Sequence, residues 1–138
     1  MWLFDTCVIS ELRKMPSGRA DAQVVRWTET HPLQQAYLSA ITVKELVYGV
    51  LLVERRDHEQ GRRLRDWFDT TLALFDGKVL PVDEAVAIRA AGLHVPDPAP
   101  EADTYIAATA LVHGLRLATR NTSDFSHFSD LVLVNPWQ

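Results

Sequence analysis

The chain has 138 residues, 47% of them hydrophobic and 23% charged, with a net charge of −4, a single cysteine and four tryptophans. A chain of this size can bury a core without staples, one cysteine excludes an internal disulfide and suits a reducing compartment, and the acidic balance excludes a broadly basic nucleic-acid coat, leaving a local patch or a metal as the route to such a ligand. No apolar run approaches a membrane span and no basic-then-apolar leader opens the chain, so one cytoplasmic domain over residues 1–138 is expected.

Met1 to Phe4 reads as a short buried strand. Val8, Ile9 and Leu12 recur at helical spacing until Met15-Pro16-Ser17-Gly18 ends the run. Ala20 to Thr30 is a second helix, stopped by His31-Pro32, and Gln35 to Ala40 a second strand. Ile41 to Arg55 and His58 to Phe75 are long helices with apolar faces at Leu46, Val47, Val50 and Leu51 and at Leu64, Trp67, Phe68 and Leu72. Lys78 to Val82 is a third strand and Asp83 to Ala91 a helix. His94 to Pro100 holds three prolines and is loop. Ala102 to His113 is helical, closed by Gly114. Leu115 to Thr119 and Leu131 to Val134 are the fourth and fifth strands. Short apolar strands alternating with helices give an α/β fold with a parallel sheet of about five strands covered on both faces.

Four acidic residues fall where strands give way to helices or loops: Asp5, Glu45, Asp103 and Asp124. Each has an ordinary role open to it. Asp5 can cap the following helix. Thr42-Val43-Lys44-Glu45 has capping-box spacing. Asp103 lies in a first helical turn, where the dipole favours negative charge, and Asp124 sits in a turn-forming Asn-Thr-Ser-Asp run. Together they read differently. A parallel sheet collects its strand ends at one edge, where ligands bind. Carboxylates gathered there repel and are driven towards protonation. A divalent cation relieves the conflict, and hard oxygen donors suit Mg²⁺ or Mn²⁺. The chain has no Gly-rich phosphate loop and no CxxC pair. Its histidines, His31, His58, His94, His113 and His127, lack HExxH-like spacing, which argues against zinc and Walker-type chemistry.

The segments LFDTCVISEL, YLSAITVKELVYGV, ADTYIAATALVHG, LATRNTSDF and the closing NPWQ occur in an order that resembles PIN-domain ribonucleases, within the VapC toxin group and its FitB-like branch. The resemblance spans nearly the whole chain. It implies a PIN-like sheet and a Mg²⁺- or Mn²⁺-dependent ribonuclease acting as the toxin of a toxin–antitoxin pair. The family's acidic residues fall on Asp5, Glu45 and Asp103. Its frequent fourth acid, just after the T-R pair, is Asn121 here. Asp5 and Asp103 are then the direct metal ligands, and Glu45 a ligand through water or the group that orients the attacking water. Asn121 is a neutral acceptor for a water at the metal. Thr6 and Thr119 are candidate hydroxyls that hold the carboxylates, and Asp124 either closes the turn before Phe125, the favoured reading, or substitutes for the missing fourth acid beside the site. Arg13 and Arg120 are candidate RNA contacts, whereas Arg55-Arg56 and Arg62-Arg63-Leu64-Arg65 read as a solvated face paired with Glu54, Asp57 and Glu59. The family also implies a small DNA-binding antitoxin whose tail folds on the toxin, with a basic side chain in the metal's place and a groove around Trp27 and Val47. Dimers or larger assemblies are implied as well. Two other readings stay open: a non-catalytic PIN-fold interaction module with a decayed metal site, favoured by Asn121, and a phosphatase or receiver-like domain using Asp5. The latter lacks the second Asp two residues on and a late Lys.

Overall fold

A computed structural model describes residues 1–138. Five parallel strands form one sheet in the order β3-β2-β1-β4-β5. They are β1 (Trp2–Phe4), β2 (Ala36–Ser39), β3 (Val79–Leu80), β4 (Arg116–Ala118) and β5 (Leu133–Val134). Seven α-helices connect and cover them: α1 (Thr6–Leu12), α2 (Ala22–Thr30), α3 (Ala40–Arg56), α4 (His58–Leu74), α5 (Glu84–Leu93), α6 (Glu101–His113) and α7 (Thr122–Phe125). No helix is long and apolar enough to cross a membrane.

The strands carry apolar residues on both sides because both sides are buried. Trp2 and Phe4 of β1, Ala36 and Leu38 of β2 and Ala118 of β4 join Val8, Ile9, Leu46, Val50, Phe68 and Phe75 in one core. That core holds α1 to α4 against the sheet. Leu3 of β1 and Leu117 of β4 point the other way, into a second core with Ile106, Ala107, Ala110, Phe125, Phe128 and Leu131. α5 rides on α6 through Val86, Ala90 and Ala108. α6 is therefore buried on two sides, against the sheet core and against α5, and its small Ala107, Ala108 and Ala110 are what permit both approaches. Gly114 ends it in the left-handed region at φ 66°, which glycine adopts without steric penalty.

Three local expectations are corrected. β3 and β5 have two residues each; the residues just before them, Lys78 and Val132, only lend a carbonyl to the Leu38 and Leu117 N–H of the neighbouring strands. The cap of α3 is Ser39, whose Oγ accepts from the Ile41 N–H at 3.0 Å, and not Thr42. β2 ends on Ser39, so the helix starts at Ala40 and Glu45 lies in its second turn, free of the capping box. Thr42 is instead fully buried, and its hydroxyl has no hydrogen-bond partner. Finally, Asn121 to Phe125 is not plain loop: α7 forms there.

Candidate metal and nuclease site

The carboxyl ends of β1, β2 and β4 lie side by side at the middle of the sheet. β1 is central, so Asp5 leaves its tip between the other two. The Asp5 N–H still donates to the Ala118 carbonyl at 3.0 Å, which fixes the residue to the sheet edge. Its side chain caps α1, accepting at Oδ1 from the Thr6 N–H at 2.8 Å. Oδ2 accepts from the Thr119 hydroxyl at 2.8 Å and from the Cys7 thiol at 3.8 Å. Asp5 is only 6% exposed, so these donors replace the water that an ionised carboxylate would otherwise keep. Three donors occupy three of about four lone-pair positions, which leaves acceptor capacity on a buried carboxyl group.

The neighbouring groups are tied to the same frame. The Thr6 hydroxyl donates to Glu45 Oε1 at 2.7 Å, joining α1 to α3. The Asn121 N–H donates to Thr119 Oγ1 at 3.0 Å, and the Arg120 N–H donates to Cys7 Sγ at 3.4 Å. Burial, more than any neighbour, pushes the Cys7 thiol up from its ordinary value, so it behaves as a neutral donor rather than a thiolate.

Asp103 reports how close the acids come. It lies in the first turn of α6, and its carboxyl is raised above its usual value. Burial is the largest cause, followed by the negative charges of Asp124, Asp5 and Glu45 in that order; His127 pulls weakly the other way. Carboxylates carried on three other elements therefore lie within electrostatic reach of Asp103. The placement of Asp124 departs from expectation. α7 turns it back, and its charge bears on Asp103 more than that of Asp5 does. Asn121 is the N-terminal flank of α7, exposed, with no side-chain cap bond. The signal for α7 was present in the sequence as Asn-Thr-Ser-Asp-Phe, a polar helix start before an apolar anchor. His127 had no such signal, since only folding brings it to Asp103.

The donor set is one of hard oxygens crowded by like charge, which suits a Mg²⁺- or Mn²⁺-like ion. No three His, Cys, Asp or Glu side chains close on a common point. The fit is thus to a hydrated cation held by one or two carboxylates, the way magnesium is commonly bound, and not to a closed protein cage.

Of the other expected contacts, Arg13 is exposed with its Cζ 5.8 Å from the Trp67 ring centroid. Arg120 lies over Trp137 at 5.4 Å. Trp27 is taken up by packing against the first core. It stacks on His31 at 4.2 Å, meets Trp2 edge-on at 5.2 Å, and packs with Val47 against the first core. The open apolar groove lies instead between α1, α2 and α4, lined by Ile9, Leu12, Met15, Leu33, Trp67, Leu74 and Phe75.

Comparison with known proteins adds the following. The family profile described as the PIN domain matches residues 2–131. Toxin FitB of Neisseria gonorrhoeae is 44% identical over 146 aligned residues, covering 99% of each chain. A VapC ribonuclease of Sinorhizobium fredii is 38% identical, covering 100% of this chain and 99% of its own. A solved structure of FitAB bound to a DNA fragment superposes with a TM-score of 0.88 at 37% identity, over 100% of this chain and 96% of that one.

Proposed function

The chain belongs to the PIN-domain family, and on that premise we propose that it is a divalent-metal-dependent ribonuclease, the toxin of a toxin–antitoxin pair, with residues 1–138 acting as one domain. The observation that carries this reading is geometric: Asp5 at the central strand tip and Glu45 on α3 are held by the Thr119 and Thr6 hydroxyls, and Asp103, whose carboxyl is raised first by burial, also lies in reach of the charges of Asp124, Asp5 and Glu45. Such crowding is unfavourable in the empty protein and is relieved by a cation.

Asp5 and Asp103 would hold Mg²⁺ or Mn²⁺. When bound, the cation supplies charge neutralisation at the phosphoryl oxygens and an acidified water. The chain's own residues do the rest. Thr119 and the Thr6 N–H hold the Asp5 carboxyl in a fixed orientation. The Thr6 hydroxyl holds Oε1 of Glu45, leaving Oε2 to accept a proton from, and so orient, the attacking water. Asn121 offers a neutral acceptor at the position where the family often has a fourth acid, and Asp124 supplies the charge that Asn121 lacks.

The partner is a small DNA-binding antitoxin, in line with the FitAB assembly on DNA. Its apolar segment suits the groove of Ile9, Leu12, Met15 and Leu74, from which a basic tail residue reaches the carboxylates in place of the cation. A homodimer or larger toxin–antitoxin assembly and a cytoplasmic site of action complete the reading. Asn121 favours one rival, a non-catalytic module of the same fold.

Incubation of the purified chain with RNA separates the two. Cleavage is expected with Mg²⁺ or Mn²⁺, and is expected to vanish with EDTA and in Asp103→Asn. Cleavage that survives EDTA, or a wild type that cuts nothing under any metal, would remove the ribonuclease assignment.

A further inference from the structure

The arginines that read as one solvated face in the sequence are sorted by the fold into two settings. Arg65 is paired: its Nε and Nη2 donate to the two Glu54 oxygens at 3.1 and 2.8 Å. Arg56 and Arg63 turn elsewhere. With Arg13 and Arg19 they rim a cleft of about 860 Å³ that also takes in Gln60 and Trp67, and no Asp or Glu lines it. The spacing explains the sorting. Gln60, Arg63 and Trp67 recur at three- and four-residue steps along one face of α4, while Arg62 and Arg65 fall on the face turned to Glu54 and Glu59. All four cleft arginines are exposed. None of them is in an ion pair; the chain's pairs are Lys14–Glu11, Arg65–Glu54, Arg89–Asp130 and His94–Glu101. A protein of net charge −4 thus presents one local field of opposite sign.

The cleft is continuous with the carboxylates. A narrower groove of about 270 Å³ runs between α1 and α3 and includes Thr6 and Glu45. It shares Arg13, Val53, Leu64 and Trp67 with the arginine cleft. At this junction Arg13 stands beside the Trp67 ring, a cation next to a flat aromatic surface. Glu45 and Arg56 are eleven residues apart on α3, about 16 Å at the helical rise of ~1.5 Å per residue. That length is about five nucleotides at a stacked rise of ~3.4 Å, and fewer in an extended strand.

We propose that the four-arginine cleft binds the phosphate backbone of a single RNA strand a few nucleotides from the bond held at the carboxylates. The proposal rests on the ribonuclease reading above and adds a second, distal binding site to it. Guanidinium groups outside any ion pair, in a cleft with no acidic lining, match phosphates, and an adjacent aromatic face matches a base. The neighbouring apolar groove, by contrast, has the lining a protein helix wants.

The test is equilibrium binding of a fluorescein-labelled dinucleotide and an eight-nucleotide RNA strand to the full chain in EDTA, followed over a range of salt concentrations. Wild type is expected to bind the longer strand more tightly, with a steeper salt dependence. R56Q/R63Q should lose that advantage. Two phosphate contacts correspond to a drop of about 1.4 in the logarithmic salt slope, or about 25-fold in affinity near 0.1 M salt, at ~0.7 per contact for single strands. R19Q, outside α3 and α4, should lose about half of that slope. Arg26→Gln, an exposed arginine on α2 away from the cleft, should change neither. The proposal is overturned if R56Q/R63Q keeps the wild-type slope, if R26Q loses as much, or if R56Q/R63Q loses antitoxin binding while RNA binding stays intact, which would assign the cleft to a protein tail. A wild type that binds neither strand would instead bring down the ribonuclease reading, and the RNA site with it.

Discussion

Thr119→Val removes one hydroxyl and little volume, and it probes the charge on Asp5 directly. Thr119 is fully buried, Asp5 is 6% exposed, and their bond is 2.8 Å long. A hydrogen bond to a charged group is worth about 1.5–3 kcal/mol when it is removed from a buried acceptor, against about 0.5–1.5 for a neutral one. The Asn121 N–H that also loses Thr119 Oγ1 is on an exposed residue, so water replaces that partner. The expected loss is about 2 kcal/mol, or about 7 °C in Tm at the ~3–4 °C per kcal/mol appropriate to a chain this long. In an Asp5→Asn background the acceptor is neutral and the amide can donate in turn, so the same Thr119→Val change should cost only about 1 kcal/mol. The coupling of about 1 kcal/mol in this double-mutant cycle is the signature of the Thr119–Asp5 bond. Thermal and urea melts of the four proteins in EDTA at neutral pH supply the numbers. A Thr119→Val cost below about 0.5 kcal/mol, or an identical cost in both backgrounds, would refute the argument.

Asp103→Asn should make the metal-free protein more stable at pH 7, by about a few tenths of a kcal/mol since the group is partly exposed and screened. Its folded-state carboxyl is raised, so the penalty is absent below about pH 4, where the acid is protonated folded or unfolded, and grows as pH rises through the raised value; melts showing the variant less stable at pH 7 would oppose this. Carbon NMR titration of Asp103 should show its carboxyl falling towards the ordinary range in Asp124→Asn, and falling less in Glu45→Gln; the reverse order would put Asp124 away from the site. Gly61→Ala should cost roughly 3 kcal/mol or more, because the added Cβ would lie 2.5 Å from the Glu54 Cα and 2.9 Å from its N, backbone atoms that cannot step aside. Gly49→Ala, with nothing within 4 Å of its Cβ, should gain about 0.5–1 kcal/mol of helix propensity in the same urea melts. Thr42→Val should be neutral or stabilising by about 1 kcal/mol, since it removes a buried hydroxyl without a partner; a clear loss would mean that a bound water satisfies it.

The sheet was legible because its strands are short, apolar and separated by helical periods. The two-sided burial of Leu3 between Trp2 and Phe4 is the physical form of that pattern. Asp5, Glu45 and Asp103 could be singled out because strand ends and helix starts are marked by caps, turns and glycine. What could not be read was anything decided by contact between distant elements. Gly61 looks like a poor helix residue until α3 crosses it at Glu54. Thr42 and Glu45 have capping-box spacing, yet Ser39 closes the strand first and takes the cap. Asp124 seemed stranded in a loop because a four-residue helix leaves almost no periodic signal. The arginines of α3 and α4 share one run in the sequence and separate only when Glu54 claims Arg65 and leaves Arg56 and Arg63 to the cleft.

Calorimetric titration of Mn²⁺ into the metal-free wild type, Asp5→Asn and Asp103→Asn at neutral pH addresses the central claim, that carboxylates from separate elements are gathered to hold one divalent cation. Saturable binding is predicted for wild type, with affinity at least about tenfold lower in each variant, since each loses a charged oxygen donor. Equal binding in all three proteins, or no saturable binding in the wild type, would contradict it.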